Sequence, residues 1–238
     1  MIRFLSILAL LLGVSGPALA WPYEVYRVPA DLSGYRVSAT ATLTEGVAEL
    51  LTDARITDAN RDKVRTILLG GDAKDPKLQD SIDQDDPRWA IVRFTPKGGG
   101  KPEFVVLDHA LASIEPADID GSGKPKLKVS IDYIDIHRGV LTLFMEPRTD
   151  GLKPVEYTDV PGGYKVQIEL MDADKAWWRE GAPAGKAKTF LMVDSRFDAH
   201  TDLMSIRWDG TKWLRATKRL PGGAVPEQAK FPAPAQFP

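Results

Sequence analysis

The segment from Asp118 to Val129 contains the side chains best suited to chemistry. Asp118, Asp120 and Ser122 place oxygen atoms at alternate positions of a glycine-containing turn, and a strand-like run follows. A short loop of this kind collects hard oxygen ligands around a cation such as calcium. The spacing therefore predicts a calcium loop. The alternative is a polar β-turn, in which the aspartates accept hydrogen bonds from their own backbone.

The same spacing occurs 60 residues earlier (118 − 58), at Asp58, Asn60 and Asp62. Two copies of one loop suggest an internal repeat, in which a cation loop is followed by a strand; in the first copy that strand would cover residues 67–69. The alternative is that Asp58 caps a helix over residues 59–69, which a glycine ends. In that case the repeat is coincidental.

Both loops resemble the calcium loops of FG-GAP/VCBS-type repeats, β-propeller blades with the pattern D-x-[DN]-G-[DS]-G-x-x-[DN]-[LI]. The resemblance implies that the carbonyl group of Lys124 joins the three side chains of the second loop as a ligand, and that the carbonyl group of Val64 does so in the first. Where the family has a closing acidic residue, this chain has Lys126 and Thr66. The ammonium group of Lys126 can therefore take the place of the ion, bridging the two aspartates of its loop.

A different set of residues suits an enzyme. Asp198, His200 and Asp202 alternate along a strand-like segment, so their side chains share one face. Such a set can bind a transition metal or supply a general base, which makes a metal-assisted hydrolase the second functional hypothesis. Asp194 and Arg196 extend the same alternation, which is typical instead of the solvent-facing side of an edge strand.

Trp177, Trp178 and Arg179 form a candidate ligand-binding site in a polar stretch of the chain. Exposed indole rings beside an arginine suit a sugar ring or a peptide, through stacking and the cation–π effect. In the alternative, the two tryptophans straddle a strand, with one ring in the core and the other covering a surface groove.

Turn residues divide the chain into short elements. Glycine and proline together number 38 (20 + 18) and separate runs rich in β-branched and aromatic residues. One helix is predicted over residues 45–54, where apolar residues fall on one face. The pair Asp209-Gly210 predicts a hairpin in which Ile206 and Trp213 face each other. The predicted strands cover residues 35–43, 90–94, 104–107, 127–136, 140–145, 164–170, 190–193, 203–208 and 212–216.

These elements indicate a mainly β fold, in which antiparallel sheets form a β-sandwich or a short propeller-like array with at most one or two short helices. Residues 21–220 are predicted to form a single β-rich domain. Residues 221–238 contain five prolines and little to bury, so we expect a disordered tail there.

Residues 1–20 have the three parts of an export signal: a positive start at Arg3, an apolar run over 4–14 and a small-x-small site at 18–20. We therefore expect a periplasmic or secreted protein that begins at Trp21. No later apolar run is long enough for a membrane anchor. The formal charge of −2 does not favour a nucleic-acid partner, and the lack of cysteine excludes thiol chemistry.

Taken together, these patterns favour an exported, soluble binding or structural module of the bacterial envelope. We expect no covalent chemistry, no cofactor other than calcium, and a protein or a carbohydrate as the partner.

Overall fold

A computed structural model describes residues 28–83, 88–133, 139–159, 163, 165–181, 187–196, 199–221 and 231–238 of the 238-residue chain. The predicted export signal lies outside these residues. The described residues form a mainly β fold, as the sequence predicts, with two sheets and two short α-helices. Within them, no helix is both long enough and apolar enough to cross a membrane.

The elements of the first part of the chain are β1 (Tyr35–Thr42), β2 (Gly46–Asp53), α1 (Arg61–Leu68), α2 (Pro76–Gln79), β3 (Ile91–Pro96), β4 (Glu103–Val106), β5 (Ala112–Ala117), β6 (Lys126–Tyr133), β7 (Gly139–Arg148) and β8 (Gly151–Pro154). Those of the second part are β9 (Glu156–Asp159), β10 (Lys165–Gln167), β11 (Glu169–Ala173), β12 (Ala176–Glu180), β13 (Thr189–Asp194), β14 (His200–Trp208), β15 (Trp213–Pro221) and a 3₁₀ turn (Pro234–Gln236).

The first sheet has the order β1-β2-β3-β4, with antiparallel neighbours. Its residues share a core with those of β5, β6 and β7 in the second sheet. Leu50, Val92 and Phe94 come from the first sheet, Leu127 and Leu143 come from the second, and each is at most 1% exposed. These facing sheets have the β-sandwich arrangement that the sequence predicts.

The second sheet has the order β10-β9-β15-β14-β13-β12-β11-β7-β6-β5, with β8 beside β7. Strands β15 and β9 are parallel neighbours. β10 pairs with β9, and only Ile168 separates β10 from β11. The strands from β9 through β15 to β11 therefore form a closed curl, in which β10 connects the first of these strands to the last. The inner face of this curl carries a second core, in which the ring of Phe190 stacks with those of Phe144 and Trp213.

The helices lie between β2 and β3 and form a smaller core. Val64 and Ile67, three residues apart on one face of α1, are fully buried and pack against Leu111. α2 is a single turn with proline at its first position, and the carboxylate of Asp75 accepts a hydrogen bond from the backbone N–H of Leu78 at 3.4 Å.

The helix predicted over residues 45–54 is wrong, since this segment is the strand β2. Its apolar residues have the spacing of a helix face because β2 is buried on both faces near its end, with Leu50 in the core between the sheets and Leu51 in a cluster on the opposite face. Leu50, Leu51 and Thr52 are consecutive and at most 4% exposed. A strand that is covered on both faces does not alternate, so periodicity alone cannot separate it from a helix.

The hairpin of β14 and β15 is confirmed, but its pairing differs from the prediction. Trp208, not Ile206, lies opposite Trp213, and Ile206 lies opposite Arg215. The carboxylate of Asp209 organises the loop, because its Oδ1 accepts hydrogen bonds from two backbone N–H groups of the loop at 2.8 and 2.9 Å. The two indoles are therefore fixed side by side.

Residues 231–238 belong to the segment for which the sequence predicts disorder. They instead pack onto the outer face of β12, β13 and β14, opposite the face that carries the second core. Phe231 and Phe237 supply the apolar surface that makes this packing possible. The high proline content of the segment predicts disorder, although these two rings are present. Residues 222–230 lie outside the described residues.

Candidate functional site

The loop before β6 is held by its own backbone. Asp118 Oδ2 accepts a hydrogen bond from the N–H of Gly123 at 3.0 Å. Asp120 Oδ1 accepts one from the N–H of Ser122 at 3.1 Å. Ser122 Oγ accepts one from the N–H of Lys124 at 3.2 Å. Each of the three predicted side-chain ligands therefore has a backbone donor as its partner, as in the β-turn alternative.

Lys126 brings a positive charge to this loop. Its Nζ lies 3.2 Å from Asp120 Oδ2 and 3.1 Å from Glu146 Oε1. The sequence-based alternative has this ammonium bridging Asp118 and Asp120; the contact with Asp120 is present, and Glu146 on β7 takes the place of Asp118. Lys126 is only 8% exposed, so its ion pairs are shielded from solvent. Arg148 extends the network, with its Nη2 2.8 Å from Glu146 Oε2.

The network keeps its members charged. Burial raises the pKa of Asp120, but hydrogen bonds from Ser122 and the charge of Lys126 outweigh this, and the pKa lies below its ordinary value. Burial also raises the pKa of Glu146, and Arg148 and Lys126 together bring it below the ordinary value. Burial lowers the pKa of Lys126, and its two carboxylate partners more than reverse this, so the pKa is raised.

The first loop has a different structure. Asp58 and Asn60 lie in the turn before α1, and Asp62 lies in the first turn of that helix. The side chain of Asn60 is engaged at both ends. Its Oδ1 accepts a hydrogen bond from the N–H of Thr57 at 2.7 Å, and its Nδ2 donates one to the carbonyl of Arg55 at 2.8 Å.

The strand predicted over residues 67–69 is wrong, because α1 continues to Leu68. The helix alternative is confirmed, although Asn60 rather than Asp58 occupies the cap position. One spacing of side chains therefore precedes a strand in one copy and enters a helix in the other. Among the described residues, no group of three or more His, Asp or Glu side chains is arranged to hold a metal ion.

A cleft of about 300 Å³ opens beside the Lys126 network, lined by the β14–β15 loop and by residues of β7 to β10. Trp208 and Trp213 give it an aromatic wall. Their ring centroids are 5.5 Å apart and the planes are tilted by 53°. Trp213 is 3% exposed and belongs to the second core, whereas Trp208 is half-buried. The cleft therefore combines an accessible indole with charged groups that are already fixed.

The lining of the cleft carries a small excess of positive charge. Lys165 and Lys212 are exposed there, and neither forms an ion pair with another residue in the described part of the chain. Four cations and three anions give a net charge of +1 (4 − 3): Lys126, Arg148, Lys165 and Lys212 against Asp120, Glu146 and Glu156.

Tyr157 and Arg215 hold Trp213 of the aromatic wall in position. Tyr157 lies beside Trp213 in the parallel pairing of β9 with β15. The Nη1 of Arg215 donates a hydrogen bond to the Tyr157 hydroxyl at 2.6 Å, and the guanidinium lies 4.8 Å from the centre of the Tyr157 ring. The Nε of Arg215 also lies 3.0 Å from Asp159 Oδ1. These contacts hold β9 against β15 and so fix Trp213.

The predicted ligand residues of β12 point to alternate sides of the sheet. Trp178 belongs to the second core, edge-on to Phe190 with ring centroids 5.9 Å apart. Trp177 is 3% exposed on the outer face. Arg179 is also on the outer face, and its guanidinium lies 4.1 Å from the centre of the Phe231 ring. The two tryptophans therefore straddle the strand, and the ring that meets Arg179 belongs to the chain itself.

The predicted hydrolase residues lie at the far end of β14. Asp198 is outside the described residues. β14 lies between β13 and β15, so the edge-strand alternative is wrong. His200 Nε2 lies 3.6 Å from Asp202 Oδ2, and Arg219 Nε lies 3.0 Å from Asp202 Oδ1. The positive charge of Arg219 opposes the binding of a metal cation at Asp202.

Sequence reasoning missed the cleft because its walls come from distant segments. Lys126, Glu146, Lys165 and Trp208 are far apart along the chain, and only the pairing of strands brings them together. The available signal was the pair of tryptophans that flank a short hairpin loop. In the register that the structure shows, the two indoles lie directly opposite each other, with Trp213 buried and Trp208 half-buried.

Comparisons with known proteins gave no match: no family model matches the chain, and no curated protein or solved structure is significantly similar to it. A functional proposal for this protein therefore rests on the geometry of its described residues.

Proposed function

We propose that this protein is an exported binding module of the bacterial envelope that binds a carbohydrate in the cleft beside Lys126, without covalent chemistry. The observation that carries the proposal is the half-buried Trp208 next to a fixed set of charged hydrogen-bonding groups. The pattern of residues 1–20 supports export.

The chemistry of the cleft suits a sugar. An indole offers a large, rigid apolar surface, on which the C–H face of a sugar ring stacks. The hydroxyl groups around such a ring need both donors and acceptors. Lys126 and Arg148 supply donors and Glu146 supplies an acceptor, all within one network. Because these side chains already hold one another, binding costs little of their rotational freedom.

The charge of the cleft favours an acidic sugar over a neutral one. Lys165 and Lys212 are exposed cations, and the net charge of the lining is +1 (4 − 3). A carboxylate on the ligand would gain the attraction of both lysines, which also speeds its approach. The proposed ligand is therefore an oligosaccharide that contains a uronic acid.

The Lys126 network also bears on calcium. Its ammonium contacts the carboxylate of Asp120, in a loop where Asp118 Oδ2, Asp120 Oδ1 and Ser122 Oγ accept backbone hydrogen bonds. We propose that Lys126 takes the structural role that the ion has in the calcium loops this segment resembles, and that the binding module needs no calcium for stability.

Titration calorimetry of the mature protein tests the proposed ligand. The probes are uronic-acid-containing oligosaccharides selected on a glycan array, with their neutral counterparts. Trp208→Ala is expected to weaken binding by about tenfold or more, because a stacked aromatic contact is lost, and Trp208→Phe should keep part of the affinity. Lys212→Ala should weaken the binding of acidic sugars more than that of neutral ones.

Lys218→Ala is the matched control, since Lys218 is exposed on β15, the strand that directly follows Lys212, but does not line the cleft. Equal losses in the Lys212 and Lys218 variants would contradict a role for the charge of the cleft. Absence of any oligosaccharide binding, or binding that survives Trp208→Ala unchanged, would contradict the proposed function.

A further inference from the structure

The outer face of β12, β13 and β14 carries two rows of side chains in register. Trp177, Val193 and Leu203 form one row, and Arg179 and Ser205 stand at the two ends of the next. We call these five residues the docking face. The three apolar members are at most 3% exposed. An indole and two aliphatic side chains on the outer face of a sheet need a cover, because a bare apolar patch of this kind promotes association.

Residues 231–238 are that cover. The rings of Phe231 and Phe237 stack on each other, with centroids 5.6 Å apart and planes 16° apart, and both pack against Trp177 and its row. The 3₁₀ turn over Pro234–Gln236 brings the two rings together. Two aromatic anchors with a compact turn between them are a typical way for a short segment to fill a groove.

Two side chains of the docking face bind the backbone of this segment. Arg179 Nη2 donates a hydrogen bond to the carbonyl of Pro232 at 3.0 Å, while its guanidinium lies over the ring of Phe231. Ser205 Oγ donates one to a backbone oxygen of Pro238 at 2.7 Å. A backbone carbonyl is available in any peptide, so these contacts would recognise another segment of similar shape equally well.

The segment is attached to the sheet without being part of it. It belongs to none of the described strand ladders, and residues 233–236 are exposed. Nine residues, 222–230, connect it to the end of β15. The segment is held by its two rings, by the buried Pro232 and by two side-chain hydrogen bonds, so its release would leave every described strand pair of the sheet in place.

One group of the docking face is not satisfied by the segment. The Nε1 of Trp177 is buried and has no hydrogen-bond partner in the described part of the chain. A buried donor without an acceptor weakens the packing around it. A peptide that placed an acceptor at this position would therefore bind better, contact for contact, than residues 231–238 do.

We propose that the docking face is a groove for a phenylalanine- and proline-containing segment of another protein, and that residues 231–238 are its intramolecular competitor. The tether gives the competitor a high local concentration, in the millimolar range for a short linker. The partner's segment displaces it by supplying the same two aromatic anchors and an acceptor for Trp177 Nε1. The groove is separate from the carbohydrate cleft, so the two proposals stand independently.

Fluorescence anisotropy with a labelled Phe-Pro-Ala-Pro-Ala-Gln-Phe-Pro peptide tests the groove in the mature protein. The double variant Phe231→Ser, Phe237→Ser removes both anchors of the competitor and is expected to bind the peptide about tenfold or more tighter than the wild type. The matched control is Ala233→Ser, Ala235→Ser, which changes two exposed residues of the same segment and should behave as the wild type. We call the Phe231→Ser, Phe237→Ser protein the released variant. Adding Arg179→Ala to it should weaken peptide binding again.

Trp177→Phe in the released variant tests the acceptor, because it keeps a ring and removes Nε1. Peptides with asparagine or glutamine scanned through the sequence should include one that binds tighter, and Trp177→Phe should abolish that gain. A released variant that folds but does not bind the peptide would overturn the proposal. So would loss of cooperative unfolding in that variant, which would make the segment part of the core. If the wild type forms dimers and the peptide dissociates them, the groove binds a second copy of this chain and not another protein, which would also overturn the proposal.

Discussion

The ammonium of Lys126 and the carboxylate of Asp120 form an ion pair, with Nζ 3.2 Å from Oδ2 and each side chain only 9% exposed. Glu146 completes the pair from β7. Charges this far from water are stable only when each has its partner. The network therefore ties the loop before β6 to the neighbouring strand and fixes one wall of the cleft.

Lys126→Met is expected to lower the free energy of unfolding at neutral pH by about 2–4 kcal/mol, since it leaves the buried Asp120 without its opposite charge and Glu146 with Arg148 alone. Urea denaturation checks this. The double variant Lys126→Met, Asp120→Asn should lose less than the sum of its two single variants, because the pair is removed together. Additive losses would show that the two groups do not interact.

Lys126→Asp is expected to turn the loop into a calcium site, because it restores the closing acidic residue and removes the competing ammonium. The thermal midpoint of this variant should rise on going from excess EDTA to millimolar calcium, by several degrees if calcium reaches 100 times its dissociation constant. The wild type should not respond. A calcium-dependent rise in the wild type would contradict the role proposed for Lys126.

The network should also contribute to stability in a defined pH range. The pKa values of Asp120 and Glu146 are lowered in the folded state. Their stabilisation is therefore present above the ordinary carboxyl pKa of about 4 and is lost as the pH falls through the lowered values. Acid titration should unfold the wild type with a steeper loss below about pH 4 than it does Lys126→Met. Parallel curves would contradict this.

Glu169 acts in the opposite direction. Burial raises its pKa to about 7, although Arg196 counteracts this in part. Between about pH 4.5 and 7 the folded state holds a proton that the unfolded state has released, so the free energy of unfolding falls as the pH rises and levels off above 7. Glu169→Gln should remove this fall and be more stable than the wild type at pH 8, by about 1–3 kcal/mol. Urea midpoints at pH 5 and pH 8 check it, with the exposed Glu156→Gln as control.

Phe190 is the centre of the second core, in contact with the rings of Phe144, Trp178 and Trp213. Phe190→Ala is expected to cost about 3–5 kcal/mol, because a fully buried ring is removed and the surrounding rings cannot close the cavity. Phe190→Leu should cost less. Since Trp213 loses a stacking partner, the Ala variant should also weaken ligand binding in the cleft; unchanged binding in a folded Phe190→Ala protein would separate the cleft from this core.

The mainly β fold could be predicted because short runs of β-branched and aromatic residues between turns are typical of strands. The strand β2 could not, since Leu50, Leu51 and Thr52 are buried in succession and mimic a helix face. That burial results from side chains packed on both faces of the sheet, the second sheet against Leu50 and the cluster with Ile91 and Val106 against Leu51, which are not encoded within the segment.

The Asp118 loop was recognisable, but its partner was not. The sequence indicated that Lys126 could neutralise the loop, and this contact is present. Glu146, twenty residues away on the next strand, could not be identified because the register of β6 and β7 decides which carboxylate meets the ammonium. Phe231 and Phe237 were hidden for a similar reason, since the surface they cover forms only when three strands pair.

The parallel pairing of β9 with β15 has a consequence for the order of folding. It joins Asp159 to Arg215 across 56 positions of the chain, whereas β12 to β15 pair as successive neighbours. Local pairings form before distant ones, so we expect the curl to close last. Arg215→Ala should then accelerate unfolding while leaving the refolding rate almost unchanged, which stopped-flow kinetics can measure. Until that final step the rings around Phe190 remain exposed to water. The unpaired edges of β9 and β15 can then pair with strands of neighbouring chains, so the open form is prone to aggregate.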